Sequence, residues 1–131
     1  MRRSRAASGA YHGPVASRPA DPRARPIAVF DSGVGGLTVL HELLVQLPHE
    51  DFLYLADAAR LPYGTRTQAE LERFALQCAE ALLARGAKLL VVACNSATAA
   101  ALPALRERMA QTTLGIDVLG ARAPTMAPWP L

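Results

Sequence analysis

Four short apolar runs alternate with helical patterns, which predicts an open, mostly parallel α/β sheet with helices on both faces. The alternation β-α-β-α-β-α-β is the first observation behind that class. The second is the continuous apolar character of "IAVF" and "KLLVVA", as in parallel strands covered on both sides. The third is length, since 131 residues suffice for one ordinary domain with a real core.

"IAVF" begins at Ile27 and stops at "DSGVGG", a buried strand entering a turn. Leu37, Leu40, Leu44 and Leu47 then recur at spacings of three, four and three, predicting one face of a helix that Pro48 ends. "DFLYLAD" reads as a second strand, followed by the loop "AARLPYGTRT". Leu71, Phe74, Cys78 and Leu82 mark the apolar stripe of a second helix, with Gly86 suited to its C-terminal stop. "KLLVVA" is the third strand and "NSATAAALPALRERM" a third helix with a break expected at Pro103. "GIDVLG" supplies a fourth strand. An order 2-1-3-4 would make the sheet flavodoxin-like and put the switch of strand order between strands 1 and 3.

Charge is unevenly placed along the chain. Residues 1–26 hold six arginines against one acid, Asp21, while the remainder has eight Lys/Arg against ten Asp/Glu. A basic extension on a mildly acidic body, without a basic stripe interleaved with aromatics, argues against nucleic acid as a partner. The extension also lacks the hydrophobic core of a secretory signal. Its Arg/Ser-rich makeup only loosely suits an organellar transit peptide and fits better with disorder or an over-long start. No run is long enough for a membrane span. Two cysteines, Cys78 and Cys94, do not make a disulfide framework, and no metal-ligand spacing exists, so a reducing cytoplasmic setting is expected. The organisation expected is a disordered extension over 1–26, an α/β domain over 27–120 and an irregular, proline-rich tail over 121–131.

Ligands of such sheets bind at the carboxyl ends of the strands, beside the switch point. Strand 1 ends in Asp31-Ser32, strand 3 ends in Cys94-Asn95-Ser96, and the loop after strand 2 carries Pro62-Tyr63-Gly64 to the same edge. These segments converge as a small-molecule site requires. The glycines of "DSGVGG" serve either a tight turn or the approach of backbone N–H groups to a ligand anion, and the turn alone does not decide. A nucleotide fingerprint fits poorly, because position 38 is Thr38 and the Walker lysine is missing. Asp31 and Asp57 can cap the turns that follow them or orient a ligand, Asp31 having the better place and Asp57 the more structural one. Cys78 lies in an apolar stripe and reads as a small buried hydrophobe. Cys94 differs, because it stands at a strand end immediately before a helix start, where thiolate, the reactive form, is favoured.

"IAVFDSGVGGLTVLHELLVQLPHEDFLYLADAARLPYGTRT", with "LLVVACNSATAAALPALRER", resembles the N-terminal half of the glutamate racemase family, within the cofactor-independent aspartate/glutamate racemases. The resemblance runs from about Ile27 to about Arg108. It implies the first of two domains, and interconversion of L- and D-glutamate by two cysteines on opposite faces of the substrate Cα, supplying D-glutamate for peptidoglycan. It implies Cys94 as the first catalytic cysteine and Asp31 as its assistant. Asp31, Ser32, Tyr63, Gly64, Asn95 and Ser96 would be the substrate contacts of this half. No cofactor and no metal are implied, and the sequence leaves a homodimer open.

The chemistry agrees with these residue types. Taking a weakly acidic Cα proton without a cofactor needs a positioned, partly desolvated base, and inversion needs an acid on the opposite face. A pyridoxal phosphate enzyme would need a Schiff-base lysine. Lys88 is the only lysine, and six residues of strand place it ~20 Å from Cys94, at the wrong sheet edge. The resemblance also calls for a second cysteine with a threonine and a histidine beside it. No third cysteine exists and no histidine follows His49, so the chain is expected to be truncated or frameshifted and of uncertain activity alone. The alternative is a non-catalytic module binding a small acidic amino acid. An aspartate or hydantoin racemase is disfavoured by the "DSGVGGLTVL…PYG" pattern as a whole.

Overall fold

The computed structural model describes residues 20–110 and 117–120. Its core is a parallel sheet of β1 (Ile27–Asp31), β2 (Phe52–Ala56), β3 (Leu89–Val92) and β4 (Asp117–Gly120), in the order β2-β1-β3-β4. The register sets Asp31 opposite Ala56 and Phe30 opposite Val92. Two backbone bonds, Asp57 N–H to Asp31 C=O and Ala93 N–H to Phe30 C=O, carry the ladder to the carboxyl edge. The three central segments therefore finish side by side, with β1 and β3 flanking the point where strand order reverses.

Alternate residues of β1 divide between two cores, as the two-residue period of a strand requires. Ile27 and Val29 join Val91 beneath Val39, Leu40 and Leu43 of α1 (Leu37–Gln46). Ala28 and Phe30 join Leu90 and Val92 beneath α2 (Gln68–Ala84) and α3 (Asn95–Ala110). Helices thus cover both faces. The α1 stripe expected from Leu37, Leu40, Leu44 and Leu47 is incorrect, because only Leu40 of the four packs on the sheet. The apolar residues of "LTVLHELLVQ" span an arc wider than one contact stripe, and its Val39–Leu40–Leu43 side docks instead.

α2 follows its expected stripe, with Leu71, Phe74, Cys78 and Leu82 buried. Thr67 and Glu70 close a capping box at its start, each side chain pairing with the other's backbone N–H. Gly86 at φ 89° ends it, while Gly86 and Ala87 N–H groups return to Leu83 and Leu82 carbonyls, a Schellman closure. α3 is continuous through Pro103, against the expected break. Its buried side, Ala97, Ala101, Leu105 and Met109, repeats every four residues across the proline. Pro103 and Ala99, whose carbonyl loses its partner, both lie on the exposed side, where water can serve that carbonyl.

The boundary expected at residue 26 also shifts. Pro22–Ala24 form a 3-10 turn capped by Asp21, and Lys88 Nζ donates to the Arg23 carbonyl and pairs with Glu50. This clasp lies at the amino edge of the sheet, so the lone lysine stands away from the strand ends that carry Cys94. The remainder of the basic extension, residues 1–19, and the tail over 121–131 fall outside the described residues. Among the described residues no helix is long and apolar enough to cross a membrane.

Candidate active site

Asp31 ends β1 with its side chain turned into the glycine-rich turn. It is 4% exposed, and its Oδ1 accepts the Ser32 N–H at 2.7 Å. Its Oδ2 accepts the Gly36 N–H at 2.6 Å and the Tyr54 hydroxyl at 3.3 Å. The single hydroxyl hydrogen of Tyr54 is shared between this oxygen and the Gly33 carbonyl, at 3.2 Å. Gly36 must be glycine for this turn to close, since a Cβ there would stand 2.7 Å from Asp31 Cβ. Burial, reinforced by the Asp31 charge, pushes Tyr54 up to about 12.

Cys94 follows β3 and precedes the first residue of α3. Its carbonyl accepts the Thr98 N–H at 2.9 Å, and its Sγ accepts the Ala97 N–H at 3.5 Å. The sulfur therefore caps the helix N-terminus by pairing one of its free N–H groups. The thiol in turn donates to Ser32 Oγ at 3.4 Å. Although Cys94 is only 6% exposed, it lines a crevice of about 440 Å³ at the carboxyl edge, together with Asp31, Ser32, Leu61, Asn95 and Ser96.

The structure divides the sequence-derived residues between two neighbouring hollows. Asp31, Ser32, Cys94, Asn95 and Ser96 line the first. Tyr63 and Gly64 line a second, of about 280 Å³, with Gln68, Leu71 and again Ser96. Ser96 is the residue common to both. The Tyr63 ring is buried between Phe30 and Phe74, and its hydroxyl donates to Asp57 Oδ2 rather than opening to solvent. Burial and the Asp57 carboxylate raise Tyr63 far above the ordinary tyrosine range.

Asp57 also receives Arg60 Nε at 2.7 Å, while Arg60 stacks 4.1 Å over Phe74 and reaches Cys78 Sγ at 3.6 Å. Asp57 thus anchors the loop that carries Tyr63. Cys78 is buried in this network, and burial raises its thiol to about 11. Sequence reasoning missed Tyr54 and Arg60. A lone tyrosine near the carboxyl end of an apolar strand, two residues before the register partner of Asp31, was the available signal for Tyr54. Among the described residues no group of three or more His, Cys, Asp or Glu side chains could hold a metal ion.

No family model matches the chain. Over 88 residues, 67% of this chain, it is 61% identical to the glutamate racemase of Roseiflexus sp., of which that stretch is 32%. It is 53% identical over 103 residues to the glutamate racemase of Thermus thermophilus, covering 79% of this chain and 40% of the relative. Over this stretch the chain is a homologue of glutamate racemases. The likeness extends to solved folds. The crystal structure of the Thermus thermophilus racemase, in complex with β-chloro-D-alanine, superposes at TM-score 0.69 over 76% of this chain and 37% of that one. The racemase of Francisella tularensis, in complex with D-glutamate, does so at 0.68 with 42% identity, over 74% of this chain and 35% of that one. The chain therefore spans about a third of the length of these racemase relatives.

Proposed function

We propose that this chain provides one face of a cofactor-independent glutamate racemase site, with Cys94 as the thiol acid/base at the substrate Cα. Asp31, Ser32, Asn95 and Ser96 would surround the amino-acid head, and the Tyr63–Gly64 turn would border the neighbouring hollow. The observation that carries this reading is the Cys94 sulfur, which caps a helix start while lining the crevice at the strand ends. The solved relatives hold D-glutamate or β-chloro-D-alanine, and a small acidic amino acid suits a crevice of this size. In a bacterial cell the product would serve peptidoglycan synthesis and hence cell shape, and free thiols suit a reducing cytoplasm.

One thiol sets a limit on what this chain does by itself. A base on one face can remove the Cα proton and return a solvent proton to the same face. Inversion needs an acid on the opposite face, and Cys78, the other thiol, is buried in the Arg60 network away from the crevice. The chain should therefore exchange the Cα proton of L-glutamate with retention. Proton NMR in deuterium oxide should show the Cα signal fading while no D-glutamate accumulates. Cys94→Ser should still bind glutamate and show no exchange. Binding without exchange in the unsubstituted chain would make it a binding module, and D-glutamate formed by a monomer would overturn the single-thiol limit.

A further inference from the structure

The resemblance gives Asp31 the task of assisting the thiol, yet the hydrogen bonds of its carboxylate run to the turn and to Tyr54. Both oxygens accept backbone N–H groups, from Ser32 and Gly36, and Oδ2 also takes the Tyr54 hydroxyl. Each of these bonds fixes the turn, and none points at the sulfur. The side-chain partner of Cys94 Sγ is instead Ser32 Oγ, at 3.4 Å. The other hydrogen bond of the sulfur comes from the Ala97 N–H, at 3.5 Å.

We propose that Ser32 is the positioning residue of the Cys94 thiol and that Asp31 acts on this thiol only through Ser32. The geometry forms a series. Tyr54 and Gly36 hold the Asp31 carboxylate, Asp31 Oδ1 holds the Ser32 N–H, and the Ser32 hydroxyl accepts the thiol hydrogen. With Ala97 N–H on the sulfur and Ser32 Oγ on its hydrogen, both the position of Sγ and the direction of its S–H bond are fixed. A hydroxyl suits this task because it can accept from the thiol and, after rotating, donate to the thiolate. A carboxylate can only accept. Placed directly against the sulfur it would repel the thiolate that the reaction needs. As a statement about racemisation the inference rests on the function proposed above; as a statement about the sulfur it does not.

The test reads the thiol itself. The S–H stretching band of a protein lies clear of its other infrared absorptions and moves to lower frequency when the thiol donates a hydrogen bond. In the full chain the Cys94 band is the one lost on Cys94→Ser. It should lie below the frequency of a non-bonded thiol, should shift upward in Ser32→Ala, and should stay low in Ser32→Thr, which retains the hydroxyl. A Cys94 band at the non-bonded frequency in the unsubstituted chain overturns the proposal without any variant having to fold. So does a band that stays low in folded Ser32→Ala but moves in Asp31→Asn, which would show that the carboxylate meets the thiol directly. Failure of the racemase reading appears separately, as absence of glutamate binding or Cα exchange, and leaves the band positions unchanged.

Discussion

The Asp31 carboxylate is buried yet accepts three donors, so its charge is compensated by the turn it organises. Asp31→Ala would strand the Ser32 and Gly36 N–H groups, at about 1–3 kcal/mol for each that stays dry, and urea denaturation should record the loss. Two glycines of the site separate structural need from space left open. A Cβ at Gly36 meets Asp31 Cβ at 2.7 Å, so Gly36→Ala should cost about 1–3 kcal/mol of overpacking. A Cβ at Gly64 meets nothing within 4 Å and its φ is not positive, so Gly64→Ala should change stability by less than about 0.5 kcal/mol. It should nevertheless weaken glutamate binding if ligand fills that hollow, as calorimetry on the two variants would show. Tyr54 adds a pH dependence. Its folded-state value is raised from 10 to about 12 by burial and then by Asp31. The folded state therefore holds the phenol proton more tightly than the unfolded chain does. The resulting stability is present in full below about pH 10 and is lost as pH rises toward 12. Tyr54→Phe should flatten that decline in denaturation curves taken across this interval, leaving the part due to Tyr63.

The loop after β2 is held by its own side chains more than by its backbone. Asp57 gathers the Tyr63 hydroxyl and Arg60, and Arg60 spans to Gln77 and lies over Phe74. Arg60→Ala removes a donor from a carboxylate whose side chain is 10% exposed, which should cost about 1–3 kcal/mol. Amide exchange should quicken across 61–66 while α2 keeps its protection, because the capping box of Thr67 and Glu70 is independent of Arg60. Uniform loss of protection would instead make Arg60 a general core residue. This element also marks where the sequence ceases to be informative. Strand ends carrying Asp31, Cys94 and the Tyr63 turn were legible, because apolar runs stop where polar chemistry begins and parallel strands share one carboxyl edge. The α2 stripe was legible because only one of its sides is apolar. The α1 stripe was not, since its leucines and valines span an arc wider than the sheet contact and spacing cannot say which part of that arc meets the sheet. Nor could spacing show that the Tyr63 hydroxyl turns to Asp57 and the Tyr54 hydroxyl to Asp31, contacts set by strand register and loop path. Pro103 misled for a related reason, because a proline on the exposed side breaks one hydrogen bond without breaking the packed side.

Over the whole molecule the two faces of the sheet are closed unequally. The α2/α3 side holds a continuous buried core, whereas α1 has no fully buried residue. Leu37, Leu44 and Val45 on α1 and Leu47 just past its end stand at 40–59% exposure, and Val34 and Leu61 stand exposed at the crevice mouth. Six large apolar side chains open to water around one helix and one rim form a concentration that scattered surface leucines do not. Burying such side chains gives roughly 25 cal/mol per Å² of apolar area, so pairing of copies through this region is favoured as concentration rises. Sedimentation velocity over a concentration series should therefore show the weight-average coefficient climbing. Leu44→Glu with Val45→Lys should suppress the climb at little cost in stability, because neither position packs on the sheet. Val34→Ser, at the rim, separates the two contributions. If the crevice mouth drives association, that change and saturating glutamate should each reduce it, whereas association through the outer side of α1 should be indifferent to ligand. A chain that stays monomeric throughout the series would show that α1 is sufficiently screened by its polar neighbours, His41 and Glu42 among them, to remain in water alone.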